Sequence, residues 1–186
     1  IVEPGGNLEC NMHDQADAML IKLDSARNIE WQRCYGGSDY DGATRVLKAN
    51  DGYLFSGYTS SYDGDVSGFH GKNDIWVVKV DFNGSILWQK CLGGSGDETA
   101  QKIIRTMDNG YMIAGYTNSS DGDVAGHHSD DDAWIVKTDK DGNIQWQRAI
   151  GGSMQDRAYD IKQLEDGNYI MVGSTASNDG DVEGQL

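Results

Sequence analysis

A short acidic sequence that recurs three times is the main candidate for chemistry in this chain. It reads Asp-Gly-Asp-Val at 63–66, 121–124 and 179–182. Two carboxylates separated by a glycine can turn towards one hard cation, and calcium takes six to eight oxygens, some from loop carbonyls. The predicted calcium ligands are Asp63, Asp65, Asp121, Asp123, Asp179 and Asp181. The alternative interpretation is a set of turns in which each aspartate accepts hydrogen bonds from nearby backbone amides.

The alternative is favoured because the ligand count is incomplete. An EF-hand-type loop would need another acidic position and a closing glutamate, and the repeated sequence has neither. No cofactor other than calcium is expected.

A histidine also recurs, always four residues before an aspartate. The pairs are His13 with Asp17, His70 with Asp74, and His128 with Asp132. Zinc would need three or four convergent nitrogen or sulfur ligands, and each histidine lacks a second one nearby. We therefore expect a structural role, in which His70 and His128 pin their loops by bonding to Asp74 and Asp132.

The sequence contains no recognisable catalytic constellation. It has no Gly-x-Ser-x-Gly elbow, no His-Glu-x-x-His pair and no phosphate-binding glycine loop before a helix. Gly-Gly-Ser recurs at 36–38, 93–95 and 151–153, and a feature repeated in every copy more often serves the fold. The chain is predicted not to be an enzyme. Residues that depart from the repeat are candidates for a ligand-binding face: Tyr40, Tyr62, Phe69 and Arg157.

The elements that carry these residues belong to a unit of 57 or 58 residues, as the spacing of Trp31, Trp88 and Trp146 shows. One unit reads as four β-strands joined by tight turns. The strand at 133–138 is apolar on both faces, which is typical of a strand covered on both sides. A glycine recurs inside the last strand of each unit, and we expect it to make room for a tryptophan of the adjacent unit. These glycines are Gly57, Gly115 and Gly173.

The pattern Asp-x-x-Gly-x-x-x-Trp, at 81–88 and 139–146, resembles the outer half of blades in quinoprotein-type propellers. Over residues 17–186 the whole unit resembles the repeats of secreted and cell-surface bacterial proteins. The resemblance implies a propeller-like fold and an extracellular or cell-surface setting, and it supplies no catalytic residues.

The predicted fold class is all-β, a β-propeller-type array of four-stranded antiparallel blades. Residues 1–16 are a lead-in from a preceding loop, and the repeats span 17–73, 74–131 and 132–186. With the strands of a blade labelled A to D from the central axis outwards, the chain begins with C and D of one blade. It ends with A and B of another, and two complete blades lie between.

The two half-blades leave the number of blades open. A closed ring of three blades is too tight for ordinary propeller geometry. Two chains could instead exchange half-blades to make a six-blade ring, or the segment could belong to a longer array. We expect a homodimer or further blades rather than a closed monomer.

Composition narrows the range of partners. Fifteen basic against thirty acidic residues give a formal charge of −15, which disfavours nucleic acid. No apolar run reaches membrane-span length. The three cysteines form no framework and are predicted to be free thiols. The predicted function is a non-catalytic binding or scaffold module that contacts a glycan or a protein through its acidic loop face. The alternatives are part of a secreted enzyme with catalytic residues elsewhere, and a structural spacer.

Overall fold

A computed structural model describes residues 15–182, and this part of the chain is all-β with twelve strands. The strands are β1 (Ala18–Leu23), β2 (Ile29–Tyr35), β3 (Asp41–Lys48), β4 (Tyr53–Thr59), β5 (Asp74–Val80), β6 (Ile86–Leu92), β7 (Glu98–Arg105), β8 (Tyr111–Thr117), β9 (Asp132–Thr138), β10 (Ile144–Ile150), β11 (Asp156–Gln163) and β12 (Tyr169–Thr175). Within residues 15–182 no helix is long and apolar enough to cross a membrane. The predicted lead-in at 1–16 lies almost wholly outside the described residues.

The strands form four antiparallel sheets. Sheet I contains β1 and β2, sheet II contains β3 to β6, sheet III contains β7 to β10, and sheet IV contains β11 and β12. The described chain therefore begins with the last two strands of one four-stranded sheet and ends with the first two strands of another. This confirms the strand grouping read from the sequence, in which each complete sheet spans a boundary between two repeats.

The middle strands of sheets II and III are buried because each of these two sheets lies between two others. All seven residues of β5 are buried. Trp76 packs in a cluster with Tyr35 of sheet I, whereas Ile75 and Val77 pack in a second cluster with Trp134 of sheet III. Alternate side chains of one strand thus contact different neighbouring sheets, as the continuous apolar sequence indicated.

Contacts between sheets follow the order of the chain. The first strand of sheet III, β7, packs against β3 and β4 of sheet II. In the same way β11 packs against β7, β8 and β9. The first strands of successive sheets therefore lie next to one another, on one side of the stack.

The glycines inside the last strand of each unit serve a different purpose from the expected one. A Cβ on Gly57 would collide with the backbone carbonyl of Gly42, in the paired strand of the same sheet. The pairing of β3 with β4 shifts between Ala43 and Arg45, so the glycine lies beside a β-bulge. Gly115 and Gly173 stand in the same relation to the neighbouring backbone. The prediction that these glycines accommodate a tryptophan is therefore wrong.

The tryptophans do pack on the adjacent sheet, at another glycine. A Cβ on Gly142 in the β9–β10 hairpin would lie 2.8 Å from the ring of Trp88 in sheet II. Trp88 also contacts Tyr111 of sheet III, with the ring centroids 6.3 Å apart. Trp31 makes the equivalent contact with Tyr53 of sheet II. The outer tryptophan therefore joins one sheet to the next.

The prediction that the cysteines are free thiols holds for Cys91 and fails for Cys34. Cys91 is free and buried, and burial raises the pKa of its thiol to about 12. Cys34 is disulfide-bonded. Its prediction as a free thiol is therefore wrong, because sequence spacing does not report which sulfur atoms approach in space.

Candidate functional site: the repeated loop junction

Two turns meet wherever the chain passes from one sheet to the next. We call 36–38, 93–95 and 151–153 the double-glycine turns, and 63–66, 121–124 and 179–182 the acidic turns. In each copy the first aspartate of the acidic turn accepts a hydrogen bond from the serine amide of the double-glycine turn. The nitrogen–oxygen distance is 2.7 Å for Ser38 to Asp63, for Ser95 to Asp121 and for Ser153 to Asp179. We call each such pair of turns a loop junction.

The second aspartate ties the turns together through its backbone. The amide of Asp65 donates to the carbonyl of Gly36 at 2.9 Å, and the two other junctions repeat this bond at 2.8 Å. Gly64 between the aspartates has a φ of 65°, and its equivalents have φ values of 64° and 67°. A Cβ on Gly64 would also collide with the Gly36 carbonyl, so this position requires glycine.

A buried carboxylate lies beneath each double-glycine turn. It belongs to the first residue of β3, β7 or β11, and these residues are Asp41, Glu98 and Asp156, each at most 2% exposed. One oxygen of each accepts the amide of the second glycine, at 2.7, 2.9 and 2.8 Å respectively. The sequence analysis did not predict this buried layer. The pattern that indicates it is an acidic residue four positions after the second glycine in every copy.

Hydroxyl groups complete the buried layer. Ser61 donates to Asp41 at 2.8 Å, and Thr117 donates to Glu98 at 2.6 Å. Ser177 donates to Asp156 at 2.7 Å. Because hydrogen bonds to an ionised acceptor are stronger than neutral ones, these contacts stabilise the carboxylates away from water.

The histidines contact the aspartates that were paired with them from sequence. His70 lies on Asp74, with its Nδ1 atom 2.6 Å from one carboxylate oxygen and its backbone amide donating to the same oxygen at 3.1 Å. His128 contacts Asp132 in the same way, at 2.9 and 2.8 Å. These are the contacts that loop pinning requires. His13 lies outside the described residues.

Burial and hydrogen bonding shift the pKa values of Asp74 and His128. Burial raises the pKa of Asp74, while the hydrogen bonds and the positive charge of His70 oppose the rise. The hydrogen bond to Asp132 raises the pKa of His128. Both shifts favour the protonated form of the group in the folded protein.

Five of the six predicted calcium ligands accept backbone amides. Asp63 and Asp121 accept the serine amides, and the Ser95 amide lowers the pKa of Asp121. One oxygen of Asp123 lies 3.3 Å from the Gly93 amide, and Asp181 accepts from Arg148 at 3.2 Å. Among residues 15–182 no group of three or more His, Cys, Asp or Glu side chains is placed to hold a metal ion. As in the alternative interpretation, the aspartates accept backbone amides, but the amides of Ser38, Ser95 and Ser153 lie 25 or 26 residues away in sequence instead of within the same turn. Calcium stays a prediction.

The four ligand-face candidates have different environments. Tyr40 and Tyr62 are 52% and 74% exposed. They belong to the same junction, where the Ser60 amide donates to the Tyr40 carbonyl at 2.8 Å. Phe69 is partly buried against the core cluster of sheets I and II. Arg157 forms an ion pair with Asp131 and stacks over the Tyr116 ring at 4.4 Å. The structure thus places the two tyrosines on the two loops that meet at one junction, and it gives Phe69 and Arg157 internal contacts.

Comparison of the chain with protein-family models and with curated proteins found no match.

The buried carboxylate layer predicts a large difference between two neighbouring aspartates. Asp41→Ala leaves the Gly37 amide and the Ser61 hydroxyl without their buried acceptor and should lower the free energy of unfolding by about 2–3 kcal/mol. Asp39→Ala, in the exposed part of the same loop, is the matched control and should change it by less than about 0.5 kcal/mol. Urea unfolding monitored by tryptophan fluorescence measures both. Equal effects would contradict a stabilising role for Asp41.

The His128–Asp132 pair predicts a pH-dependent contribution to stability. Because the folded protein raises the pKa of His128, the contribution is fully present below about pH 6.5 and is lost as the pH rises through the folded pKa. His128→Asn keeps a side-chain N–H donor but removes the charge. The melting temperature of the wild type minus that of the variant should be largest near pH 5.5 and should fall as the pH rises through the raised pKa of His128.

His127→Asn is the control for this measurement, because His127 contacts the carbonyl of Asp130 instead of a carboxylate. Its difference from the wild type should stay flat across the same range. A flat profile for His128→Asn would contradict the charged pair.

Proposed function

We propose that the chain is a non-catalytic binding module of a secreted or cell-surface protein, with its sheets arranged as propeller blades and its loop junctions forming the binding face. The propeller arrangement is supported by the packing of β3, β7 and β11, the first strands of successive sheets, next to one another. It is also supported by the recurrence of the same loop junction at the same end of each sheet.

The observation that carries the proposal is the exposed tyrosine pair at the first junction. Tyr40 and Tyr62 replace polar residues of the repeat and expose large ring surfaces to solvent. The equivalent residues in the other copies are Asp97, Gln155, Ser120 and Asn178. A structural spacer built from identical units gives no reason for aromatic side chains at these two positions, whereas a binding face does.

Carbohydrate is the ligand class that this surface suits best. The C–H face of a sugar ring stacks on an aromatic ring, and its hydroxyl groups donate to carboxylates. Asp39 and Asp63 are exposed beside the tyrosines and supply such acceptors. The net charge of −15 favours a neutral or cationic glycan over an anionic one.

Three features support the proposed setting. Disulfides persist in secreted and cell-surface proteins and are rare in the cytosol, and Cys34 is disulfide-bonded. The acidic surface keeps such a module soluble. The repeats also resemble those of secreted bacterial surface proteins.

A glycan array followed by calorimetry tests the proposal. We expect the wild-type chain to bind a glycan, and Tyr40→Ala or Tyr62→Ala to weaken binding about tenfold each, as the loss of an aromatic contact of 1–2 kcal/mol would. Tyr159→Ala is the matched control, because Tyr159 is 47% exposed but lies in β11, away from this junction. Its affinity should equal that of the wild type.

The same array run with calcium and with EDTA separates cation-dependent from direct recognition. Loss of binding in EDTA would support the calcium prediction. Glycan binding that survives both tyrosine substitutions would contradict the proposed binding face. If the same tyrosines bind a protein instead of a glycan, the chain would still be a binding module, but carbohydrate would be the wrong ligand class.

A further inference from the structure

Two strands of the described chain, β1 and β12, lack a neighbour that the equivalent strands of the complete sheets have, and their free edges are complementary. In sheets II and III the second strand pairs with the third, β4 with β5 and β8 with β9. Sheet I has a third and a fourth strand, and sheet IV has a first and a second. Among residues 15–182, β1 therefore has an unpaired edge of the β5 type, and β12 has one of the β4 type.

The open edge of β12 carries apolar side chains that other copies bury. Ile170 and Val172 are 55% and 61% exposed. The residues equivalent to Ile170 in the complete sheets, Leu54 and Met112, are fully buried. The sequence of β12 is therefore adapted to a covering that the described chain does not provide.

Strand β1 likewise exposes apolar side chains that the equivalent strand of a complete sheet buries. Met19 and Leu23 are 47% and 53% exposed, whereas the equivalent Trp76 and Val80 of β5 are fully buried. Single exposed apolar residues are ordinary, but a row along an unpaired strand marks an interaction surface.

A groove between sheets I and II indicates where the missing strand of sheet I would pack. Its volume is about 410 Å³, and its apolar lining includes Leu20, Leu23, Val46 and Tyr53. Val46 is 57% exposed. The equivalent residue in sheet III, Ile103, is 1% exposed and packs in one cluster with Leu54 of β4. The groove therefore lacks a second strand that carries an apolar residue at the position of Leu54, and in β12 this residue is Ile170.

We propose that β12 of one copy of this chain pairs antiparallel with β1 of a second copy, and that the second copy returns the same contact. Each such strand pairing completes a four-stranded sheet and places Ile170 and Val172 of one copy against the groove of the other. Two such strand pairings related by a two-fold axis close a ring of six four-stranded sheets. The strand pairing does not depend on carbohydrate binding, whereas ring closure rests on the proposed propeller arrangement.

The complete sheets fix the register of this pairing. Ser56 lies opposite Val77 in sheet II, and Ala114 lies opposite Ile135 in sheet III. By the same alignment Val172 of one copy lies opposite Leu20 of the other. Neighbouring Ile21 projects to the opposite face of the sheet, because successive side chains of a strand alternate.

A second copy is the occupant that the geometry favours. Within one chain β1 and β12 belong to different sheets and are separated by two complete ones. The missing strand must also continue the hydrogen-bond pattern of the repeat, and β12 has the same Tyr-x-x-x-Gly-x-Thr sequence as β4 and β8. Because each copy has a charge of −15, apolar burial must drive the association, and added salt should strengthen it.

Light scattering in 150 mM salt tests the assembly. We expect the wild-type chain to have twice the 20.3 kDa mass of one copy. Val172→Lys would put a charge into the new core and should yield a folded monomer, because Val172 is 61% exposed in the single chain. Leu87→Lys is the control, since Leu87 is 49% exposed on the outer strand β6, and it should stay dimeric.

Disulfide trapping tests the register. In a Cys91→Ala background, Leu20→Cys with Val172→Cys should give a covalent dimer on a non-reducing gel. Ile21→Cys with Val172→Cys should not, because the two side chains lie on opposite faces. Equal trapping of the two pairs would overturn the register.

A monomeric wild type, or an open series of larger oligomers, would overturn the closed pair. Glycan binding, measured together with the mass of the wild-type chain, distinguishes the two proposals. A monomeric wild-type chain that still binds glycan would refute the pairing alone, and a dimer without glycan binding would refute the carbohydrate function alone.

Discussion

The structure depends on one constraint, that a sheet with two apolar faces must be covered on both of them. The third strands, β5 and β9, bury nearly all of their residues between neighbouring sheets. Sheets I and IV have a neighbour on one side within the described chain, and their exposed Met19, Leu23, Ile170 and Val172 follow from this. A stack of such sheets must therefore end at a partner, a cap or another copy of itself.

The loop junctions meet a second requirement, that the chain must cross from one sheet to the next without leaving backbone amides unbonded. Carboxylates do this from both sides of the double-glycine turn, with Asp63 on Ser38 and buried Asp41 on Gly37. The acidic composition is thus partly structural. Tyr40 and Tyr62 occupy positions that the hydrogen-bonded framework leaves free to vary, so a binding surface could be added without disturbing the fold.

The sequence predicted the features that depend on periodicity, and it failed where spatial proximity decides. The 57- or 58-residue period and the doubly apolar strand at 133–138 were sufficient to group twelve strands into sheets. Gly57 was assigned the wrong neighbour because a β-bulge in the paired strand leaves no mark in the pattern. Buried Asp41 was missed because an acidic residue in a loop is normally solvated, and Cys34 because bond partners depend on distance.

The most direct test of the covering constraint is the folding of sheet III alone, excised as residues 98–150. Four strands without a second layer bury too little apolar surface to offset their conformational entropy. We expect this fragment to be monomeric and unfolded in an NMR amide spectrum, while the 186-residue chain melts cooperatively. A dispersed spectrum and a cooperative melting transition for the isolated fragment would contradict the covering constraint.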